Sequence, residues 1–356
     1  MFDRVWRISY PALVGLLLLG LLWHHWQIVV APVPLDLYEG TMLLITGIIA
    51  DGDNPYTRAF QPAAADVYPP LYNMLVAPLT AIFGNTFQLH RAVSALFILA
   101  ATAMAAIAAR RNSGSWRDAF AAGAMLYAAL LFYATPVSST NAPGVAVFLA
   151  GLIVPWWRGF STGSLVFAAL CGLLAFYTKQ YFILCMAILC LYLFLYVSMG
   201  RALLLGVCYA ACLLLSLVIV HQTSPYYLDN TLFAPSAAMS GLQSWEILLV
   251  QLGTFVRVYA GLLLVMLLSA GASLLLRWRD GRQQTGTPGN WFRPARAGWD
   301  GPLLARQVDF FWFCLFWSSL VFLFWLGRNP GNYMTYLFQL VTPFLLIVAF
   351  EQVARP

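Results

Sequence analysis

The sequence predicts an all-α polytopic membrane protein, a bundle of about ten transmembrane helices. Three observations carry that prediction. Of the 356 residues, 62% are apolar and 9% charged, whereas an average soluble domain has roughly a quarter of its residues charged. Stretches such as Leu203 to Val220 are apolar on every face, not alternating as the strands of a transmembrane barrel do. The basic residues fall in short runs between apolar segments, a pattern that orients a chain in a bilayer rather than gripping nucleic acid. A water-soluble enzyme is excluded, and the expected surroundings are membrane lipid, with no nucleic-acid partner.

Crossing the hydrocarbon core takes about 20 apolar residues. The segments that qualify are 8–30, 88–109, 118–135, 142–157, 162–178, 181–199, 202–220, 256–276, 309–326 and 333–350. The first follows Arg4 and Arg7 but is too long for a signal-peptide core and lacks a small-residue cleavage site, so it reads as a retained span. With the N-terminus inside, 14 of the 19 basic residues lie on the cytoplasmic side. Arg58, Arg91, Lys179, Arg257 and Arg328 remain outside or at the outer boundary. Pro69 to Gly84 is apolar, but its short length and its prolines 69, 70 and 78 make it a shallow or re-entrant helix. Residues 1–356 then form one membrane domain. Its first outer loop is 31–87, its second is 221–255, and a Gly-, Pro- and Arg-rich inner loop covers 277–308.

The six cysteines all sit in apolar runs with no CxxC pair, which makes them small core residues rather than disulfides or metal ligands. His24, His25, His90 and His221 have no metal-binding spacing and read as boundary residues. No repeat of 20 to 50 residues is visible. Specific chemistry must therefore lie on loops or at span ends.

The first outer loop holds Asp36, Glu39, Asp51, Asp53 and Asp66, five of the 13 acids. Asp36 and Glu39 are spaced i, i+3 and share a face if the chain is helical from Leu37. Two carboxylates so close raise one pKa, which prepares a general base. The same pair serves equally as a helix cap and a first-turn acid. Lys179, the single lysine, lies between two apolar runs. A cation there is costly unless it faces a polar cavity or snorkels to the interface, so it is either functional or an anchor. Arg328 carries the same two readings, while Arg58 lies in a hydrophilic loop and reads first as a solvated charge.

Gly52, Pro55 and Tyr56 form one turn signal, and Tyr68, Pro69, Pro70, Leu71 and Tyr72 form another. Taken in order after Asp36, Glu39 and Gly40, they resemble the first outer loop of GT-C glycosyltransferases, whose pattern is roughly D-x-x-E-G, G-x-x-P/L-Y and Y-P-P-L-Y. Further landmarks follow: Arg91 opening a span that ends in Arg110 and Arg111, Tyr177 to Gln180 closing another, and Gly331, Asn332 and Tyr333 leading into the last. These are similar to the bacterial branch related to protein O-mannosyltransferases and lipid A aminoarabinose transferases. Asn141 stands where many relatives carry an acid.

The resemblance implies an inverting transferase on the periplasmic side of a bacterial inner membrane, which would make both outer loops periplasmic. The donor would be a polyprenyl-phosphate-linked sugar and the acceptor a glycan, lipid or protein. Asp36 or Glu39 would act as base, and Lys179, Arg328 and Arg58 would hold the donor phosphate. Tyr56, Tyr68, Tyr72, Gln180, Asn332 and Tyr333 would contact substrate. No cofactor is required by the pattern, and a divalent cation stays open because only some members of the class use one. Two other classes compete. A lipid-linked sugar flippase would show internal repeats and polar residues along a path, whereas here the polar residues gather on one side. A non-catalytic glycolipid-binding subunit would lack turnover when purified alone.

Overall fold

A computed structural model describes residues 2–233, 244–261, 263–264, 301–304, 308–329 and 334–354, with the backbone alone for 2–11 and 352–354. Among the described residues the chain is helical and contains no β-strand. Four helical stretches are long and apolar enough to cross a membrane: Ala12–Val30, Phe87–Ser113, Met199–Thr223 and Phe310–Arg328. The other apolar helices have 10–17 residues. The expected crossings that fall on described residues thus separate into long helices and shorter ones.

Helix α1 (Phe2–Val30) runs unbroken. Leu16, Leu17, Leu19 and Trp23 on it are each more than half exposed, an outward apolar face suited to lipid. After a short linker come α2 (Leu37–Ala50), capped by the Asp36 side chain, and α3 (Leu71–Phe83), which contains Pro78. The segment expected to be a shallow helix is therefore one of only 13 residues. Asn73 of α3 donates to the Met42 carbonyl and to Thr46 Oγ1, fastening the two loop helices together.

Helix α4 (Phe87–Ser113) starts on a Thr86 cap and stops at Gly114, whose φ of 74° suits a residue without a Cβ. Helices α5 (Trp116–Leu130) and α6 (Asn141–Trp157) follow, joined by an irregular segment in which Thr135, Ser138, Ser139 and Thr140 are all buried. Helix α6 is buried on nearly every face, with Val145, Phe148, Leu149 and Leu152 at 0% exposure. It is therefore surrounded mostly by protein.

Close approach of α6 to α7 (Thr162–Thr178) and α8 (Leu184–Tyr196) depends on glycine. A Cβ at Gly151 would lie 2.6 Å from Cys185 Sγ, and one at Gly144 would overlap the Phe182 ring and sit 2.8 Å from Thr178 Oγ1. Small residues let backbones of apolar helices meet, where dispersion rather than hydrophobic transfer drives packing. Helix α9 (Met199–Thr223) returns across the outside of the bundle, with Leu204, Val207, Leu214 and Leu215 exposed.

The second outer loop differs from its expected form. Its far half is a helix, α10 (Trp245–Val258), started by a Ser244 cap. Apolar residues Leu248 and Phe255 and the polar Gln251 turn one face of α10 inward, so a segment read as loop is amphipathic helix. Most of the expected span 256–276 and of the inner loop 277–308 lies outside the described residues. Helix α11 (Phe310–Phe324) and α12 (Thr342–Ala354), the latter entered through a π-helical turn at Leu337–Val341, complete the bundle.

Candidate functional site

Two buried cations mark the end of the bundle that carries the first loop. Arg91 sits in the first turn and a half of α4 at 0% exposure, too deep to be solvated. Its Nε and Nη2 donate to Glu39 Oε1 at 2.8 Å and Oε2 at 2.6 Å. Nη1 donates to the Ile28 and Ala31 carbonyls, and Nη2 also reaches that of Val33. One guanidinium thereby joins the end of α1, the linker and α2. Glu39 is equally saturated, because Oε1 also accepts from Ser138 N–H and Oε2 from Leu35 N–H. Burial alone would raise this carboxyl, but the Arg91 bonds and those backbone N–H groups hold it down at about 2.

This geometry corrects the reading of Asp36 and Glu39 as a mutually repelling pair. Asp36 caps α2 by accepting from Tyr38 N–H at 2.8 Å, while Glu39 turns inward to Arg91. The like-charge rise in pKa that would make Glu39 a base is absent; its pKa is lowered instead.

Lys179 follows the last residue of α7, where the backbone turns extended at φ −160° and ψ 128°. Its side chain is 4% exposed. Nζ donates to Asn141 Oδ1 at 2.9 Å and lies 4.3 Å from the Tyr68 ring centroid, 4.9 Å from that of Tyr336 and 5.6 Å from that of Tyr181. Electron-rich faces thus surround the ammonium. Burial pulls its pKa down to about 7, against the opposing attraction of Asp66 and Asp36. No ion pair of contact length joins Lys179 to either acid.

Asp66 closes the other side of this cluster. It is 2% exposed; Oδ1 accepts from Tyr68 N–H at 3.1 Å, while buried Oδ2 has no hydrogen-bond partner. Burial raises the carboxyl to about 6, opposed by the adjacent backbone N–H groups of Tyr68 and Val67 and by the Lys179 charge. Beneath Lys179 the Tyr181 hydroxyl donates to Gln339 Oε1 at 2.6 Å, and Gln339 Nε2 donates to Thr135 Oγ1 at 2.9 Å. The cage floor is therefore fixed from α12's π-helical turn and from the irregular α5–α6 segment.

Next to this polar cluster lies an apolar cleft of about 540 Å³ between α3, α7 and α9, walled by Leu71, Met74, Leu174, Ile219 and Val220. Tyr56 and Tyr177 also line it. Tyr56 donates through its hydroxyl to the Tyr68 carbonyl at 3.1 Å, so the cleft and the lysine cage share a wall. Above them the two loops are stitched together. Asn54 Nδ2 donates to the Thr223 carbonyl and Ser224 Oγ, Tyr226 N–H donates to the Tyr56 carbonyl, and Asn230 Nδ2 donates to Gln61 Oε1. Gln180 Nε2 adds bonds to the Val67 and Thr231 carbonyls.

No family model, curated protein or solved structure matches this chain. What the site can do is therefore argued from its own residues. Asp36, Tyr68 and Lys179 converge, with Tyr56 and Gln180 beside them. Tyr72 does not join them: it is fully buried and donates to the His90 carbonyl, which makes it part of the α3–α4 contact. Arg58 is exposed in a short 3-10 turn, in keeping with a solvated charge. Arg328 stacks 4.4 Å from the Trp245 ring, with its Nε buried and unpartnered. Asn332 and Tyr333 lie outside the described residues. No group of three or more His, Cys, Asp or Glu side chains suited to a metal ion occurs among the described residues. His25, expected at a boundary, is buried, its Nδ1 2.7 Å from the Tyr127 hydroxyl.

Sequence reasoning missed Tyr181, Tyr336, Gln339 and Thr135. Each sits in or beside an apolar run, where nothing in spacing separates a cage residue from core. The partnership of Arg91 with Glu39 had a usable signal. A lone arginine opening an apolar span demands a counter-ion, and the first loop held five acids.

Proposed function

We propose that the protein is an inverting glycosyltransferase that moves a sugar from a polyprenyl-phosphate donor to a hydroxyl or amine acceptor. The single observation carrying this reading is the convergence, beside an apolar cleft, of one caged ammonium with two first-loop carboxylates. Such a site suits a ligand that is part hydrocarbon, part anion and part sugar. With α5, α6, α7, α8 and α12 counted as crossings beside the four long helices, and the span expected over 256–276 as the tenth, the chain would form a GT-C-like bundle of ten. The loop end then faces the periplasm of a bacterial inner membrane, in keeping with the distribution of arginines.

In the proposed reaction the acceptor oxygen or nitrogen attacks the anomeric carbon from the face opposite the phosphate. The bond from that carbon to the phosphate oxygen breaks, and its electrons leave with the polyprenyl phosphate. A first-loop carboxylate takes the acceptor's proton. Negative charge grows on the phosphate as the bond breaks, so a fixed ammonium at Lys179 stabilises the transition state more than the bound substrate. Arg328 is the second candidate cation. The Tyr68, Tyr181 and Tyr336 rings and Asn141 hold the ammonium in place before the donor arrives, so no reorganisation is needed at the moment of reaction.

The test is a purified-protein assay with polyprenyl-phosphate sugars. Release of polyprenyl phosphate and a product of inverted anomeric configuration are expected. Dependence on a soluble nucleotide sugar, or vesicle-to-vesicle movement of the lipid-linked sugar without bond cleavage, would overturn the reading.

A further inference from the structure

We infer that Asp66, rather than Asp36 or Glu39, is the carboxylate that takes the acceptor's proton. This assignment rests on the transferase reading above and adds the identity of the base. A general base needs a free lone pair within reach of the proton it accepts. A carboxylate offers about four acceptor positions, and in Glu39 all four are filled, two by Arg91 and one each by Ser138 and Leu35 N–H. Asp36 is committed to its helix, where Oδ1 caps α2 by accepting from Tyr38 N–H. Asp51 and Asp53 lie in an exposed turn.

Asp66 alone among these acids combines burial with an unoccupied oxygen. Oδ1 accepts from Tyr68 N–H, which fixes the carboxylate plane, and Oδ2 is left in the interior without a donor. A buried acceptor with no partner is destabilising, so a ligand that brings a hydroxyl there recovers a loss already incurred. The charged and titratable groups around it are Lys179, Tyr38, Tyr56 and Tyr68. Three are phenols, whose hydroxyls stay protonated at neutral pH, so Lys179 is the neighbour that carries charge. The raised carboxyl, near 6, matches a base working around neutrality.

Asp66→Asn separates chemistry from architecture, because its amide oxygen still accepts from Tyr68 N–H. In the full-length purified protein, with fold checked by monodispersity, turnover should fall by about a hundredfold to ten-thousandfold. The donor KM should stay close to that of the wild type. The acidic limb of the wild-type pH–rate profile, near pH 6, should vanish. Asp36→Asn should lose far less, since Asn also caps helices. Wild-type-like turnover in Asp66→Asn with its acidic limb intact would overturn the assignment and leave the transferase reading standing. Absence of wild-type turnover with every polyprenyl-phosphate sugar would remove both.

Discussion

Arg91 and Lys179 are both cations sunk in the same end of an apolar bundle, yet the protein treats them in opposite ways. Arg91 meets a carboxylate in a bidentate pair and three carbonyls besides. Lys179 meets one amide oxygen and three aromatic faces, with two acids nearby but not in contact. A saturated charge holds segments together and has nothing left to offer a ligand. An undersatisfied one is maintained at a cost in stability, which is the signature of a site rather than of scaffolding. The difference also separates the two acids: Glu39 belongs to the scaffold, Asp66 to the site.

The largest effect that would break this comparison is expected at Arg91. Arg91→Met leaves Glu39 charged and alone in the interior, which costs about 3–5 kcal/mol. Thermal unfolding in detergent should show a loss of that order, with the paired change Arg91→Met and Glu39→Leu recovering part of it. Equal stability of the single variant and the wild type would mean the clamp is not structural.

Lys179→Met should behave in the opposite sense. Stability should hold or rise, because a buried ammonium is removed, while turnover falls by about a hundredfold to a thousandfold, as for the loss of one transition-state donor. Lys179→Arg should restore turnover only in part, since a planar fork has a different reach. A destabilised Lys179→Met with normal turnover would recast the residue as a second Arg91.

Gly144→Ala probes the packing that carries both residues. The added methyl meets Phe182 and Thr178 one residue before Lys179, and overpacking of this kind costs about 1–3 kcal/mol. A drop in unfolding temperature together with a weaker donor affinity is expected.

A smaller effect is expected from pH. Lys179 has its folded pKa lowered to about 7, beneath the unfolded lysine value near 10.4. Above pH 7 the unfolded chain binds more protons than the folded one, so stability rises with pH across that window. The unfolding temperature of the wild type should climb from pH 7 to pH 9, and that of Lys179→Met should climb less. Asp66 acts in the other sense at lower pH: its raised carboxyl favours the folded state until it ionises near 6. The smallest effect belongs to Arg58→Ala, an exposed position where both stability and turnover should stay within about 0.5 kcal/mol of the wild type.

Much of the bundle was legible because apolar length has few meanings. The segments 88–109, 142–157 and 162–178 became α4, α6 and α7 to within a few residues. Helix α10 was missed because Glu246, Gln251 and Arg257 dilute its apolar average, and its order appears only in the spacing of Leu248, Gln251 and Phe255 on one face. At the site, Lys179 stood out as one lysine in an apolar chain. Its cage did not, because Tyr181 and Tyr336 look in sequence like any aromatic residue near a span end. Asp36 and Glu39 were legible as a cap and a first-turn acid, but Glu39's inward turn follows from Arg91, a residue 52 positions away.

The stitching of the two loops has a consequence for traffic. Four hydrogen bonds from Asn54, Tyr226 and Asn230 span the seam between them, and Gln180 donates to one carbonyl on each side. At about 0.5–1.5 kcal/mol each, lifting the seam from above means breaking a row of rivets together. The cleft between α3, α7 and α9 is walled by apolar side chains instead, and α9 carries the exposed Leu214, Leu215 and Val218 as well. On the proposed function, a cargo tethered to a greasy tail would match that apolar wall with the roof still riveted, and only a cargo coming from the water would have to raise it.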